Sequence, residues 1–437
     1  MIETAYINLW NKRVGAIAWD SESGAGSFEF EPSFLRQNLD ISPLKMPITV
    51  ARGGRIFSFP DLVRSPTFKG MPGLLSDVLP DKYGNALINA WLAQNGRPEN
   101  SLNPVEILCF IGERGMGALE FEPVVPKIPG TSTKLEIDSL VNIAQEIMSG
   151  RTNFAANLAD DAKKALFDIL KIGTSAGGAR AKAVIAYNPV TGEVRSGQAN
   201  APKGFTHWLI KFDGVVDTQL STGSGPLGTS SGYGRVEMAY YRMAVACGIE
   251  MMECRLLEEN GRAHFMTRRF DRMPDEGKLH VQSLCGIQHY DFAQINSYSY
   301  EQLFQTMRML KLPYGQAEQL YRRMVFNVLA RNCDDHTKNF AFIMNKRGEW
   351  RLSPAFDVCH AYRPGSEWVS RHALSVNGQR DRISENDLLA VANSMNVKKP
   401  ESIIAEVRTQ VKQWEKYADE QRVPVNLAKA IKDTLLV

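Results

Sequence analysis

A dense run of charged and amide side chains separates two apolar segments, and this pattern restricts the possible fold more than any other feature. Residues 324 to 330 are apolar except at Asn327, and residues 340 to 344 are apolar as well. The segment between them reads RNCDDHTKN. A plain turn between two buried segments needs no more than Gly, Pro or Ser. The excess of polar groups therefore raises the question of a chemical task for this loop.

The spacing of carboxylates and amides in this loop is typical of phosphoryl transfer. Asn339 follows Asp334 by five residues, and Asp357 lies further on, at the end of a predicted strand. Phosphoryl transfer needs a carboxylate beside the attacking hydroxyl and hard oxygen ligands for Mg²⁺. A D-x-x-x-x-N loop, a short hairpin and then an Asp is the order found in protein-kinase-like sites. The alternative, from the loop alone, is a solvated turn with capping Asp and Asn.

Two other interpretations of local features remain weaker. Cys333 and His336 are residue types that bind zinc, but they lack the paired spacing of a zinc site. Upstream, the stretch IGTSAGGARAKAVI contains Gly177 and Gly178, whose missing side chains let backbone N–H groups approach a phosphate. Arg180 and Lys182 add positive charge there. A strand pattern follows the loop, which differs from a Walker A loop opening a helix, and an ordinary turn is the alternative.

Lys211 is the next feature in the order of a kinase core. It ends the apolar strand pattern THWLIKFDG, where a kinase places the lysine that pairs with ATP phosphates. An edge lysine without function is the alternative. Glu237 in the following helix either orients this lysine or complements the helix dipole. The run FMTRRFDR at 265 to 272 is then the inter-lobe strand whose backbone meets an adenine.

Composition is that of a cytoplasmic globular protein with two or three domains. The chain has 437 residues, 44% of them apolar and 23% charged, and a net charge of +3 that does not by itself indicate nucleic-acid binding. Its six cysteines are scattered without a C-x-x-C pair, which favours a reducing compartment. We find neither a signal-peptide pattern at the start nor an apolar run of roughly 20 residues.

Periodicity predicts an α+β chain that becomes mainly helical after about residue 300. Alternation predicts strands near the start, and the composition of 127 to 134 predicts a linker. The predicted elements are a hairpin at 5 to 10 and 14 to 18, a strand in GSFEFEP, helices in 135 to 170, strands in AKAVIAYNP and THWLIKFDG, a helix ending near Gly248, a hairpin turning at Asn260-Gly261, and a hairpin at 340 to 353.

These motifs together resemble the HipA family of serine/threonine kinase toxins over nearly the whole chain. The N-terminal part contributes WNKRVGAI, LLSDVLPD and IGERGMGALEF, and the remainder contributes GTSAGGARAK, THWLIKF, RRFDR, NCDDHTKNFAF, LSPAFDV and SVNGQRD. The resemblance implies a protein-kinase-like (PI3/4-kinase-like) bilobal fold. The implied domains are an N-terminal α/β subdomain at 1–130, a kinase N-lobe with hinge at 131–272, and a helical C-lobe at 273–437.

The resemblance also implies a role for individual residues. Asp334 resembles the catalytic base, Asn339 and Asp357 resemble the Mg²⁺ ligands, and Lys211 resembles the lysine that pairs with ATP phosphates. The remaining nucleotide contacts implied are Gly177, Gly178, Ala179, Arg180, Ala181, Lys182, Arg268, Arg269, Phe270, His336, Lys338, Asn339, Phe356 and Asp357. Departures from the family pattern are Ala181, where many relatives carry an acidic residue, and Arg268, where some carry Glu.

Ser175 matches the serine on which these kinases phosphorylate themselves, with Thr174 as the neighbouring alternative. A phosphate adds roughly 1.5 to 2 negative charges, so it would displace a loop that holds another phosphate and block ATP. The alternative is that Ser175 only caps the turn.

The resemblance implies an ATP-dependent protein kinase that acts as the toxin of a toxin–antitoxin pair. The expected substrate is an aminoacyl-tRNA synthetase, the glutamyl type first, and the expected partner is a small DNA-binding antitoxin through which DNA is mainly contacted. Two alternatives remain, a catalytically quiet corepressor and a small-molecule kinase. The intact Asp334, Asn339, Asp357 and Lys211 favour an active enzyme, and the Ser175 loop and N-terminal subdomain favour a protein substrate.

Overall fold

The computed structural model describes most of the chain, and the described part divides into two compact units. The first unit comprises Met1–Leu39, Ile48–Gly234 and Cys254–His280, and the second comprises Asp40–Pro47, Arg235–Glu253 and Val281–Val437. Most of the predicted linker lies outside the described residues. None of the described helices is long and apolar enough to cross a membrane. The described ranges are 2–125, 133–149, 160–173, 180–197, 201–215, 232–273 and 277–437.

An antiparallel sheet of five strands forms the N-terminal part of the first unit. Ala5, Ile7 and Leu9 alternate with exposed or half-buried residues, so one face of the first strand is buried. The predicted hairpin and the third strand are confirmed. In the order β4-β3-β2-β1-β5, the strands are β1 (Thr4–Leu9), β2 (Lys12–Asp20), β3 (Ala25–Phe30), β4 (Phe57–Ser58) and β5 (Leu119–Glu122).

Helices accompany this sheet, and their starts follow local sequence signals. Pro80 interrupts the helical pattern, and Asp81 then caps the next helix by accepting a 2.7 Å hydrogen bond from the Gly84 N–H. Asn103 and Glu106 form a capping box. The helices of the first unit are α1 (Pro32–Leu35), α2 (Ile48–Ala51), α3 (Gly73–Ser76), α4 (Lys82–Gln94), α5 (Pro104–Ile111), α6 (Ile137–Met148) and α7 (Asp160–Gly173).

A second antiparallel sheet follows, and its register fixes the neighbours of Lys211. Lys211 pairs with Lys182 on one side and with Phe265 on the other. The predicted hairpin turn is confirmed, with Asn260 and Gly261 both at positive φ. In the order β7-β6-β8-β10-β9, the strands are β6 (Lys182–Tyr187), β7 (Val194–Ser196), β8 (Thr206–Lys211), β9 (Cys254–Glu259) and β10 (Arg262–Arg268), with a small pair β11 (Arg272–Met273) and β12 (Gly277–Lys278) beyond.

The second unit is mainly helical, as predicted. Tyr240 lies at the centre of its aromatic core, with ring centroids 5.3 Å from Trp414 and 6.0 Å from Phe326. Gly248, at φ 74°, ends the preceding helix as expected. The helices are α8 (Tyr233–Ala246), α9 (Leu284–Gln288), α10 (Tyr300–Met309), α11 (Tyr314–Leu329), α12 (Glu385–Met395), α13 (Pro400–Val411), α14 (Trp414–Glu420) and α15 (Val425–Lys432).

Short strands in the second unit frame the polar loop. The predicted hairpin after the loop is confirmed as an antiparallel pair. A further short pair runs parallel and joins the segment before α10 to residues 374–375. The strands are β13 (His280–Ser283), β14 (Tyr298–Ser299), β15 (Ala341–Met344), β16 (Trp350–Leu352) and β17 (Leu374–Ser375).

One buried carboxylate connects distant parts of the first unit. Asp271 is fully buried and accepts hydrogen bonds from Arg269 at 2.6 and 2.8 Å, from Arg272 at 2.7 Å and from the Gly117 N–H at 2.7 Å. Arg272 also donates to the carbonyls of Gly115 and Gly117. Burial alone raises the pKa of Asp271, but the two guanidinium groups outweigh it and hold that pKa well below its usual range. The RRFDR motif therefore acts as a structural clamp.

Replacing Asp271 by Asn should lower the free energy of unfolding by about 3–5 kcal/mol at pH 7, because two buried guanidinium groups lose their counter-charge. Urea denaturation measures this loss. Glu122→Gln is the control, since its ion pair with Arg13 is half exposed and should contribute less than about 1 kcal/mol.

The same replacement has a defined pH dependence. Because the folded-state pKa of Asp271 is depressed, its stabilisation is present above the unfolded pKa of about 4 and is lost as pH falls towards the folded pKa. The difference between wild type and Asp271→Asn should therefore shrink below about pH 4. A difference below about 1 kcal/mol at pH 7 contradicts the clamp.

Candidate active site

The polar loop connects α11 to β15 and is held by backbone bonds on both sides. Its first residues pair with a later segment, where Cys333 N–H donates to Ala361 O and Ala361 N–H donates to Arg331 O, each at 3.0 Å. A short 3-10 turn, Thr337–Asn339, leads into β15. The Asn339 side-chain amide donates to the backbone carbonyl of Asp334 at 2.7 Å. The two ends of the predicted D-x-x-x-x-N motif are therefore in direct contact.

The two adjacent aspartates of the loop lie in opposite environments. Asp335 is buried and accepts hydrogen bonds from Tyr300 Oη at 2.7 Å, His372 Nδ1 at 2.9 Å and Ala373 N at 2.7 Å. The Asp334 side chain is 44% exposed, and its carboxylate lies 3.7 Å from His336 Nε2. Asp335 is committed to internal donors, whereas the Asp334 carboxylate is open to solvent. Of the pair, Asp334 is the one that a substrate hydroxyl could reach.

Asp357 differs in position from the sequence prediction. The strand β16 ends at Leu352, so Asp357 lies in an irregular segment rather than at the end of a strand. Pro354 explains the early end, because proline has no N–H to donate to a sheet. Asp357 adopts φ 55°, a left-handed conformation that is uncommon for residues other than glycine. Such backbone strain is found preferentially at functional sites.

Asn339 and Asp357 line the same small cavity within the second unit, together with apolar side chains, and its volume is about 20 Å³. The cavity has room for a water molecule or an ion, and carboxylate and amide oxygens are ligands that suit Mg²⁺. No group of three or more His, Cys, Asp or Glu side chains in the described part of the chain is arranged to hold a metal. Mg²⁺ is commonly held by one or two carboxylates together with substrate phosphates.

Other predicted nucleotide contacts of the second unit surround Phe292, a residue that the sequence did not single out. The His336 ring lies 5.2 Å from the Phe292 ring, and Lys338 Nζ lies 5.2 Å from its centroid. Phe356 lines the same cavity as Asn339 and Asp357. The structure thus places His336 and Lys338 around one aromatic ring, and Phe356 at the cavity.

Lys211 and Lys182 are direct cross-strand partners in the first unit, so their side chains project from the same face. Lys182 is buried, and its Nζ lies 3.2 Å from Asp81 Oδ2. Asp81 therefore balances the charge of Lys182 while its other oxygen caps α4. Lys211 Nζ lies 5.8 Å from the Phe265 ring centroid. The predicted phosphate-loop lysine is thus a buried strand residue with an acidic partner from the LLSDVLPD motif.

The predicted hinge carries fixed contacts. Arg269 N–H donates to His207 O at 2.9 Å, and its guanidinium is held by Asp271. Phe270 is buried, and Arg268 is the last residue of β10. Any adenine contact of Arg269 would therefore use its backbone carbonyl rather than its side chain or N–H.

The phosphate loop itself is only partly described. Arg180 stacks on Tyr233, with its guanidinium carbon 4.5 Å from the ring centroid, and Ala181 is buried. Glu237, the predicted orienting residue, is a buried residue within α8. The predicted residues that lie outside the described part of the chain are Thr174, Ser175, Gly177, Gly178 and Ala179.

Sequence reasoning missed the side chains that support the site. Asp335 was overlooked because Asp334 alone has the right spacing to Asn339. His372 lies 37 residues away along the chain, and Asp81 lies 101 residues from Lys182. The adjacent DD pair was the only local signal, since two acidic neighbours seldom share one role.

Two family models match the chain. One is described as the HipA-like C-terminal domain and matches residues 174–414, and the other is the HipA N-terminal domain and matches residues 5–122. A search of curated proteins found no match.

The chain is also similar to solved structures. The HipA structure from the Shewanella oneidensis MR-1 toxin–antitoxin complex with HipB and operator DNA has a TM-score of 0.67 at 15% identity, covering 99% of this chain and 96% of that one. The Helicobacter pylori proinflammatory kinase CtkA has a TM-score of 0.32 at 14% identity, covering 60% of this chain and 94% of that one, which is too low to support a structural argument. The first similarity shows the fold of this chain.

The Asp81–Lys182 pair can be tested by a double-mutant cycle. Asp81→Asn keeps an oxygen for the Gly84 N–H but leaves a buried ammonium uncompensated, so it should cost about 3–5 kcal/mol of unfolding free energy. In a Lys182→Met background, the same change should cost less than about 1 kcal/mol. Chemical denaturation of the four proteins gives the coupling, and additive losses would show that the pair is not formed.

Proposed function

The chain belongs to the HipA family, and from this premise we propose that it is an ATP-dependent serine/threonine protein kinase acting as the toxin of a toxin–antitoxin pair. The observation that carries the proposal is the division of labour between two adjacent aspartates. Asp335 is buried and anchors the loop, while the Asp334 carboxylate stays open to solvent. The proposal includes the protein-kinase-like, PI3/4-kinase-like bilobal fold expected from the sequence.

Asp334 is proposed as the catalytic base that accepts the proton of the substrate hydroxyl. Its backbone carbonyl is bonded to the Asn339 amide, which fixes the loop conformation. Asn339 and Asp357 would hold Mg²⁺, and their position around one small cavity supports this assignment. When bound, Mg²⁺ supplies positive charge that neutralises the phosphates in the transition state.

Lys211 is proposed as the principal lysine for ATP phosphates. Lys182, its cross-strand neighbour, is already partly neutralised by Asp81. Lys211 is the stronger candidate because it ends the strand pattern THWLIKFDG, where a kinase places this lysine. The backbone of residues 177–182 is proposed to contact phosphate, and the backbone of 268–270 to contact adenine.

Ser175 is proposed as an inhibitory autophosphorylation site. Its position just before the Gly177-Gly178 pair supports this assignment, because a new phosphate there repels the phosphates of ATP. Phosphorylation would then limit the activity of each toxin molecule to the period before it modifies itself.

The proposed partners are a small DNA-binding antitoxin and a protein substrate of the translation machinery. The Shewanella HipA structure contains HipB and operator DNA, which supports proposing an antitoxin and DNA contact through it. An aminoacyl-tRNA synthetase, the glutamyl type first, is the proposed substrate.

Expression of the wild-type chain without an antitoxin should arrest growth, and Asp334→Asn should relieve the arrest. Loss of a general base lowers phosphoryl transfer by about 10²–10⁴-fold. Asp419→Asn, an exposed aspartate in α14, is the matched control and should arrest growth like the wild type. Growth curves with immunoblots for equal expression measure the effect.

The two competing functions predict different results in this experiment. A catalytically quiet corepressor gives growth that is insensitive to Asp334→Asn. A small-molecule kinase leaves growth unaffected by the wild-type chain. Either result contradicts the proposed toxin kinase.

A further inference from the structure

The segment that follows Asp357 returns to the polar loop and encloses it. One side of the loop pairs with Ala361, through the reciprocal bonds of Arg331 and Cys333. On the other side, Ala373 N–H approaches Cys333 O at 3.3 Å. The stretch 331–335 thus runs between two parts of the chain that both come after Asp357. Backbone hydrogen bonds therefore link the position of the proposed base to the segment beyond Asp357.

His372 lies at the centre of this link and is fully buried. Its Nδ1 donates to Asp335 Oδ2 at 2.9 Å, and its Nε2 lies 3.7 Å from Cys333 Sγ. Both contacts are made to residues that flank Asp334 in the chain. The His372 side chain, which comes from the segment beyond Asp357, therefore contacts the loop on each side of the proposed base.

The carboxylate end of the link continues into α11 through hydrogen bonds. Tyr300 Oη donates to Asp335 and accepts a 3.0 Å bond from Asn327 Nδ2. Asn327 Oδ1 in turn accepts a 2.9 Å bond from Asn332 Nδ2. The chain of bonds therefore starts on a rigid helix, passes through the loop and ends on His372.

The charge state of His372 strengthens the link. Burial lowers the pKa of the ring, but the carboxylate of Asp335 more than compensates and raises that pKa to about 10. The raised pKa favours the cationic ring at neutral pH, which makes the bond to Asp335 charge-assisted and stronger than one between neutral groups. An apolar pair of equal size could fill the same space, but it would not fix the orientation of the His372 ring relative to the loop.

We propose that Asp335 and His372 are positioning residues that hold Asp334 in a fixed position relative to the segment beyond Asp357. This inference rests on the proposed function, since its consequence is a rate of phosphoryl transfer. A displacement of a catalytic group by about 1 Å can cost about 10²-fold in rate. His372 contacts the two residues that flank Asp334 in the chain, so loosening it should lower kcat by a larger factor than it raises the KM for ATP.

Three replacements of His372 distinguish the effect of its hydrogen-bond donor from the effect of its side-chain volume. Asn places an amide nitrogen where Nδ1 lies, so His372→Asn keeps the donor to Asp335. Gln places its amide nitrogen near Nε2, and Leu has no donor. We expect His372→Asn to stay within about 3-fold of the wild-type kcat, and His372→Gln and His372→Leu to lose about 10- to 100-fold, with a smaller change in the KM for ATP in each variant.

Tyr321→Phe is the control for a general loss of stability. Tyr321 is buried in α11, and its hydroxyl donates to Leu388 O at 3.1 Å, a bond that lies outside the link. This replacement should lower the thermal midpoint while leaving kcat unchanged. Wild-type kcat in all three His372 variants, or a raised KM for ATP in place of a lowered kcat, overturns the proposal.

Amide hydrogen exchange tests the link without any enzymatic activity. In His372→Leu, peptides covering 331–336 and 372–376 should both exchange faster than in the wild type, and in His372→Asn, which keeps the donor but loses the charge, the increase should be smaller. Unchanged exchange in His372→Leu overturns the link. If the wild-type chain shows no phosphoryl transfer, the proposed function and the effect of the link on kcat are both contradicted. The link itself is still supported if the exchange pattern is the expected one. The two failures are therefore distinguishable.

Discussion

The second unit depends on one buried carboxylate, Asp335, on which three donors converge. The donors come from α10, from His372 and from a backbone N–H beyond Asp357. A buried carboxylate without such partners is very costly, so these donors favour the loop conformation in which all three reach Asp335. That conformation leaves the neighbouring Asp334 open to solvent and brings Asn339 back onto its backbone carbonyl. The geometry of the candidate site therefore depends on the hydrogen bonds that Asp335 accepts.

In the first unit, two other carboxylates, Asp271 and Asp81, likewise gather charged or polar partners from other parts of the chain. Asp271 gathers Arg269, Arg272 and the backbone near Gly117. Asp81 neutralises Lys182, directly opposite the lysine proposed for ATP phosphates. The Asp81–Lys182 ion pair joins the N-terminal region to the second sheet within this unit. Around Asp271, the hydrogen bonds to Gly115 and Gly117 make the corresponding connection. We infer that residues of the HipA N-terminal domain help to set the charge environment of the proposed phosphate-binding strand.

Local patterns in the sequence predicted the local structure well. Alternation in β1, the Asn260-Gly261 turn and the helix end near Gly248 all depend on neighbouring residues, and all three are confirmed. The contact between Asp334 and Asn339 is also local. Asp357 was placed wrongly at a strand end because the effect of Pro354 on the sheet was not considered.

The supporting charges could not be predicted, because each partner is distant in the chain. Nothing near His372 marks it as the partner of Asp335, and nothing near Asp81 marks it as the partner of Lys182. Sequence spacing identifies groups that act together on one short loop. It does not identify the side chains from other elements that make such a loop rigid.

The most direct test is the intact mass of purified, unmodified protein after incubation with Mg²⁺ and ATP, beside Asp334→Asn, followed by peptide mapping. The account predicts a gain of one phosphate at Ser175 in the wild type and no gain in Asp334→Asn. A wild-type protein that starts unmodified and gains nothing contradicts the account, and so does an equal gain in both proteins.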